Sequence, residues 1–409
     1  MDLCITPSRL SGAVTPPPSK SIAHRLILSA ALADGTSTIQ NVALSQDIEA
    51  TLRCAEALGA QWCQPDTATI QVEGIGSASR SFPHLPEFDC GESGSTLRFL
   101  IPIALAVAGG GSFRGHGRLM QRPQKPYFDL FQEKGIAYRQ SDGVLTVEGT
   151  LAPGEYRLPG NVSSQFFTGL LFALSRLDAP SRLVSTTALE SYDYITMTLD
   201  ALSRAGVSVR VSPDRRSFDI TPAPCRAIHA AVEADWSQAA FWYAAAFLDN
   251  PLRIEGLHPL SAQGDRIVSD LYWQLARPEE DVDIDLSGCP DLLPPLAVMA
   301  AARQGVTRFI NGARLRIKES DRLTTTAALL AALGVSVREL SDGLIVQGGQ
   351  PFTGGTVDGA NDHRIVMAAA VAATACSAPV TILGAEAVRK SYPSFWEEYQ
   401  RLGGTLHVL

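Results

Sequence analysis

A chain of 409 residues, 45% hydrophobic and 19% charged, has a globular composition and exceeds what one core serves, so disordered and fibrous classes are excluded and two domains are expected. The formal charge of −8 and pI near 5.4 exclude a general nucleic-acid or anionic-membrane surface, so an anionic ligand must be met by a local basic cleft. Seven scattered cysteines without metal spacing, no apolar run of membrane-spanning length and no leader pattern in residues 1–20 point to a cytoplasmic protein without a metal centre or membrane contact.

The first helix follows the Pro-rich TPPPS and opens at PPPSKSIAHR, with Lys20 and Arg25 around its start and Ser19 and Ser21 as capping hydroxyls. Asp47 to Gly74 then reads as a helix, a Gly, a β-branched strand, a turn and a second strand. The turn DCGESGST brings Gly91 and Gly94 to the start of a very apolar helix, where small residues let a ligand approach backbone N–H groups. Arg98, on the first turns of that helix, supports the turn.

Arg122 precedes Pro123, whose restricted backbone holds the guanidinium fork in place. The helix–Gly–hairpin unit recurs from Tyr127 to Gly149. GNVSSQFF presents Ser163, Ser164 and Gln165 at another helix start, three neutral hydrogen-bonding side chains suited to phosphate oxygens and hydroxyls. Ser191 and Tyr194 open the helix of the next unit, Asp193 to Pro222.

In the second half, Asp265 to Leu286 starts like the other units but lacks the closing Gly and the hairpin, which predicts a missing two-stranded ribbon. Asp291 precedes an apolar helix. The stretch NGARLRIKESDR packs Arg314, Arg316, Lys318, Glu319, Asp321 and Arg322 just ahead of a helix with Leu329, Leu330 and Leu333 on one face. Asp362, His363 and Arg364 precede an Ala-rich helix, and Lys390 stands before Pro393.

Taken singly, each motif also suits a capped or solvated surface turn. Their recurrence at helix starts carries more weight. If the internal helices aim their N-termini at one cleft, their dipoles and Lys20, Arg25, Arg122, Lys318, Arg322, Arg364 and Lys390 would hold more than one anionic group.

The glycines that close the repeated helices, Gly59, Gly135, Gly206, Gly334 and Gly403, are spaced by about 70 residues, with one gap of roughly twice that. A truncated fourth copy fills the gap. The expected fold is α/β: two similar domains, each of three βαβαββ repeats, joined by two hinge crossovers. The linker-like points place one domain at 17–231 and a discontinuous second domain at 1–16 and 232–409.

In order along the chain, KSxxxR, GxSGSTxRF, QRP, SSQ, KESDR, NDHR and RKSYP resemble the motifs of the 5-enolpyruvylshikimate-3-phosphate (EPSP) synthase family, from about residue 5 to the C-terminus. The resemblance implies an inside-out α/β barrel type of domain with parallel internal helices. It also implies an addition–elimination reaction that moves the enolpyruvyl group of phosphoenolpyruvate to the 5-hydroxyl of shikimate 3-phosphate, in chorismate and aromatic amino acid biosynthesis. No cofactor is implied, and the expected partners are the two small substrates, with no nucleic acid or membrane, bound by a monomer.

Carried over residue by residue, the resemblance puts shikimate 3-phosphate with Lys20, Ser21, Arg25, Ser163, Ser164, Gln165, Ser191, Tyr194, Asp291 and Lys318 in the 17–231 domain and its partner domain. Phosphoenolpyruvate falls to Lys20, Gly94, Arg122, Gln165, Arg322, Arg364 and Lys390, several of them brought in by closure. The catalytic positions are Lys20, Asp291 and Glu319: Asp291 or Lys20 for the hydroxyl proton, Glu319 for the methylene proton. Three positions depart from the family's common Asn: His24, Glu92 and Arg314. Gly94 leaves room beside the phosphoenolpyruvate site, so glyphosate is expected to inhibit.

Two other readings are weighed against this one. A UDP-N-acetylglucosamine enolpyruvyl transferase typically has Lys-Asn where Ser21 follows Lys20, and a Pro-Gly-Gly-Cys loop; the loop here reads RLMQRPQKP. A non-catalytic repeat protein that binds phosphorylated ligands gains nothing from carboxylates such as Asp291 and Glu319 beside its cations.

Overall fold

Each repeated unit brings a pair of helices of different character. The pairs are α1 (Lys20–Leu32) with α2 (Gln46–Ala57), α3 (Gly94–Ala108) with α4 (Lys125–Lys134), and α5 (Ser164–Leu174) with α6 (Tyr192–Arg204). They continue as α7 (Trp236–Phe247) with α8 (Val268–Leu275), α9 (Leu293–Ala302) with α10 (Arg322–Ala332), and α11 (His363–Ala372) with α12 (Phe395–Arg401). The odd-numbered helices are apolar nearly all round and lie in the interior, whereas the even-numbered ones bury one face. This computed structural model describes residues 1–76, 82–277 and 281–409.

Polar side chains fix where the interior helices begin. Ser93 accepts from the Thr96 N–H, Ser163 from Gln165, Asp235 from Ser237 and Gln238, and Asp362 from Arg364. Ser19 stands at the cap position of α1 but makes no such bond, and its buried hydroxyl has no partner among the described residues. The expected cap is therefore not made. The five helix-closing glycines, Gly59, Gly135, Gly206, Gly334 and Gly403, all take left-handed φ between 67° and 103°, which turns the chain from the outer helix into the strand that follows.

Among the described residues five four-stranded sheets share one plan: a parallel pair extended by two antiparallel strands, which form a hairpin in all but the last, where they come from the two ends of the chain. In one, Glu87–Asp89 runs parallel to Gly110–Arg114, which pairs antiparallel with Val144–Glu148 and through it with Ala137–Ser141. Strand His229–Ala231 completes the sheet of the first repeat beside Thr36–Gln40. The N-terminal strand Leu3–Thr6 sits between Val380–Leu383 and Thr405–Val408 in the sheet of the last.

The fourth repeat breaks the plan. Among the described residues its sheet has only Gly12–Val14 and Leu252–Ile254, in parallel. Among the described residues no hairpin follows α8, and strand Val282–Asp285 begins the next sheet, as the lost Gly and ribbon predict. Residues 278–280 of this segment lie outside the described residues.

The chain divides into two units, Pro18–Glu233 and Met1–Pro17 with Ala234–Leu409. In the first, α3 packs along α5 while α1 lies against α2 and α6, around a core that includes Leu26, Phe99, Phe167 and Leu171. In the second, α7, α9 and α11 pack against one another around Trp242, Leu296, Met367 and Phe395. Each unit therefore has its own apolar core.

Candidate active site

In the unit that contains the C-terminus, the starts of α7, α9, α10 and α11 bring charge together. Asp321 caps α10 by accepting from the Thr324 N–H, and Arg322, the next residue, turns its guanidinium inward to 1% side-chain exposure. There it meets three carboxylates: Asp291 Oδ1 at 2.7 Å from Nη1, Glu319 Oε2 at 2.6 Å from Nη2 and Asp362 Oδ2 at 2.8 Å from Nε. Arg322 is the hub of the cluster.

Asp291 lies in the short turn Pro290–Leu292 before α9, and does not cap that helix. Its Oδ1 also accepts from Lys318 Nζ at 3.2 Å, and its Oδ2 from Arg364 Nη2 at 3.1 Å. The same Arg364 nitrogen donates to Ser237 Oγ at the start of α7, at 3.0 Å. Asp362 caps α11 and accepts from the Ser320 hydroxyl at 3.0 Å. Lys390 Nζ donates to the Asn361 carbonyl at 2.7 Å.

Burial opposes ionisation of Asp291, but Arg364, Lys318 and Arg322 outweigh it and hold the carboxyl well below the usual range. Asp362, likewise penalised by burial, is held low by Arg322. Burial lowers Lys318, with Asp291 partly offsetting it. Arg322 is desolvated too, yet Asp362, Glu319 and Asp291 leave it more firmly protonated than a free guanidinium. A carboxylate kept ionised beside three cations stabilises their positive charge and stays in the proton-accepting form, with its basicity lowered by them.

In the 18–233 unit, Lys20 begins α1 and its Nζ bonds Asp47 Oδ2 at 2.6 Å. Arg25, 2% exposed, reaches Thr198 Oγ1 at 2.8 Å, the Ser21 carbonyl at 2.6 Å and the Tyr194 carbonyl at 2.9 Å. Its guanidinium carbon lies 5.3 Å from the centre of the Phe99 ring and 5.9 Å from that of Tyr194. Burial lowers its pKa to about 10, which leaves it cationic at neutral pH. Arg25 thus ties α1 to α6 in this structure.

Gln165, in the first turn of α5, accepts from Arg98 Nη1 at 2.8 Å and donates to Ser95 Oγ at 3.0 Å. Arg98 Nη2 also donates to the Pro123 carbonyl at 3.2 Å, which holds the backbone beside Arg122. A Cβ on Gly94 would run into the Arg122 guanidinium, so the room beside Gly94 is occupied by that arginine. Ser163 caps α5 while Ser164 is buried behind it. Ser191 stands before α6 with φ 52°, a left-handed backbone that turns the chain into the helix.

The family model described as EPSP synthase (3-phosphoshikimate 1-carboxyvinyltransferase) matches residues 5–399. The chain belongs to the EPSP synthase family. A 3-phosphoshikimate 1-carboxyvinyltransferase of Clostridium acetobutylicum is 41% identical over 98% of this chain and 97% of its own. The EPSP synthase of Acinetobacter baumannii superposes with TM-score 0.81 over 99% of both chains at 24% identity. The enolpyruvyl transferase NikO of Streptomyces tendae gives 0.77 at 18%, over 99% of this chain and 98% of its own. At those identities the two structures speak for the fold alone.

Within this EPSP synthase fold, sequence reasoning singled out Lys318, Glu319, Arg322 and Arg364 but omitted two carboxylates from the candidate site. Asp47 holds Lys20 and Asp362 holds Arg322. Both sit in first turns or caps, where Asp is common for local reasons, and only their partners, 27 and 40 residues away, mark them out. The hydroxyls of Ser237, Thr51, Thr96 and Thr198 gave no signal.

Proposed function

We propose that the two clusters are the substrate sites of a 3-phosphoshikimate 1-carboxyvinyltransferase. The chain transfers the enolpyruvyl group of phosphoenolpyruvate to the 5-hydroxyl of shikimate 3-phosphate and releases phosphate. In this reading shikimate 3-phosphate takes Lys20, Ser21, Arg25, Ser163, Ser164, Gln165, Ser191, Tyr194, Asp291 and Lys318. Phosphoenolpyruvate takes Lys20, Gly94, Arg122, Gln165, Arg322, Arg364 and Lys390. The enzyme acts as a cytoplasmic monomer on these two small anions.

The reaction needs a base for the hydroxyl, an acid for the methylene carbon and cations for the departing phosphate. In the addition step the 5-oxygen bonds to C2 of phosphoenolpyruvate while C3 gains a proton. Asp291 or Lys20 takes the hydroxyl proton, and Glu319, protonated for this step, supplies the proton to C3. In elimination C3 returns a proton to the Glu319 carboxylate and the C2–O bond to the phosphate breaks. Lys20, Arg122 and Lys390 then take up the charge that develops on the phosphate.

The observation that carries the reading is Asp291 bound at once to Lys318, Arg322 and Arg364, within a full-length family match. Release of inorganic phosphate from phosphoenolpyruvate tests it, with shikimate 3-phosphate and UDP-N-acetylglucosamine as rival acceptors. Release with shikimate 3-phosphate alone is expected. Release with the nucleotide sugar alone would transfer the chain to the rival specificity, and release with neither would leave a binding protein.

A further inference from the structure

His24 lies one helical turn after Lys20 on α1, 1% exposed, and takes no part in the mechanism above. Its Nδ1 is 2.7 Å from Thr51 Oγ1 of α2, which is 2.7 Å from Thr96 Oγ1 of α3. Thr96 in turn reaches Ser93 Oγ with both its hydroxyl, at 2.7 Å, and its backbone N–H, at 3.2 Å. Three helices meet along this line of hydroxyls.

The donor order fixes a tautomer. With the Thr96 hydroxyl donating to Ser93, the Thr96 oxygen accepts from Thr51, and the Thr51 oxygen accepts from His24. The ring proton therefore sits on Nδ1. The buried Nε2 carries a lone pair and has no hydrogen-bond partner among the described residues. Lys20 and Arg25 flank the ring from its own helix, α2 contributes Asp47, already held by Lys20, and α3 presents the Phe99 ring edge-on at 6.4 Å. Burial, then the two cations, push the imidazole well below its usual pKa. A second ring proton would enter a buried site with no acceptor.

We propose that His24 is a positioning residue for the reaction: a neutral Nδ1–H imidazole that, through Thr51, Thr96 and Ser93, sets the starts of α1, α2 and α3 against one another. Each start carries a site group. Lys20 begins α1, Asp47 on α2 holds Lys20, and Gly94 follows Ser93 and packs on Arg122. Disturbing the line moves Lys20 and the Gly94–Arg122 contact together. The assignment of Lys20 and Arg122 rests on the proposed function; the tautomer does not.

Two measurements on the full chain test this. Long-range ¹H–¹⁵N correlations on histidine-labelled protein are expected to show a neutral Nδ1–H ring that does not titrate through the ordinary midpoint near 6.5. An Nε2–H tautomer or an ordinary titration overturns the donor order. For His24→Ala the KM for phosphoenolpyruvate should rise on the order of tenfold with a smaller fall in kcat. His24→Asn, whose amide can place a donor near the Nδ1 position, should restore most of it.

An Nδ1–H ring with unchanged kinetics in His24→Ala overturns the positioning role. Unchanged kinetics in Lys20→Ala would instead remove the site reading and leave the tautomer standing. If His24→Ala does not fold, the comparison of His24→Asn with His24→Gln, which sets the amide one carbon further out, decides: equal KM values overturn the proposal.

Discussion

Arg322 shows how a single side chain can organise charges that repel one another. Removing it leaves Asp291, Glu319 and the wholly buried Asp362 facing each other. Arg322→Ala should cost about 3–5 kcal/mol, the range for breaking a buried pair by removing one partner; a urea midpoint equal to wild type would refute this. Asp291→Asn keeps the shape and should instead lower kcat with a smaller loss of stability. Gly94 is the converse case. Gly94→Ala pushes aside only the flexible end of Arg122, so the KM for phosphoenolpyruvate should rise while the unfolding midpoint stays near wild type, and an unchanged KM would place Arg122 outside the site. The charges of this centre were legible in KESDR and NDHR. Their pairing was not, because Asp291 meets Arg322 across 31 residues, and nothing local in the sequence reports that distance.

Caps convert sequence into site geometry at the scale of the helix. Asp235 accepts from the Ser237 and Gln238 N–H groups at 2.8 and 3.1 Å and from the Ser237 hydroxyl at 2.6 Å. Ser237 in turn receives Arg364, the partner of Asp291. Asp235→Ala should therefore destabilise the protein by about 1–2 kcal/mol and also lower kcat, because Arg364 loses its orientation through Ser237. Loss of stability with unchanged turnover would separate α7 from the centre. Helix starts were legible as S/T/D-x-x patterns, and so was the missing ribbon after α8. The failed cap at Ser19 was not, since a Ser before a helix reads alike whether its hydroxyl bonds the backbone or not.

The repeat gave away the architecture of the whole chain, because each copy must bury an apolar helix and turn back through a Gly, and both needs leave periodic marks. The N-terminal strand left a fainter one: the linker-like points assign residues 1–16 to the second domain, but the pairing of Leu3–Thr6 with residues near 380 and 405 shows only in the sheet. The same buried charges set how the molecule meets acid. His24 is held below its usual pKa, so below about pH 6.5 the unfolded chain binds a proton that the folded chain excludes, and stability falls with pH. Asp291 and Asp362 are also held low. Their contribution is complete above about pH 4, where unfolded aspartates are ionised, and is lost as pH drops toward the folded values. Urea midpoints should thus fall in two stages on acidification. His24→Asn should remove the first stage alone, and Asp291→Asn should blunt the second. A midpoint that stays flat in wild type from neutrality to about pH 5 would mean that His24 titrates alike in both states, against the environment that α1, α2 and α3 build around it.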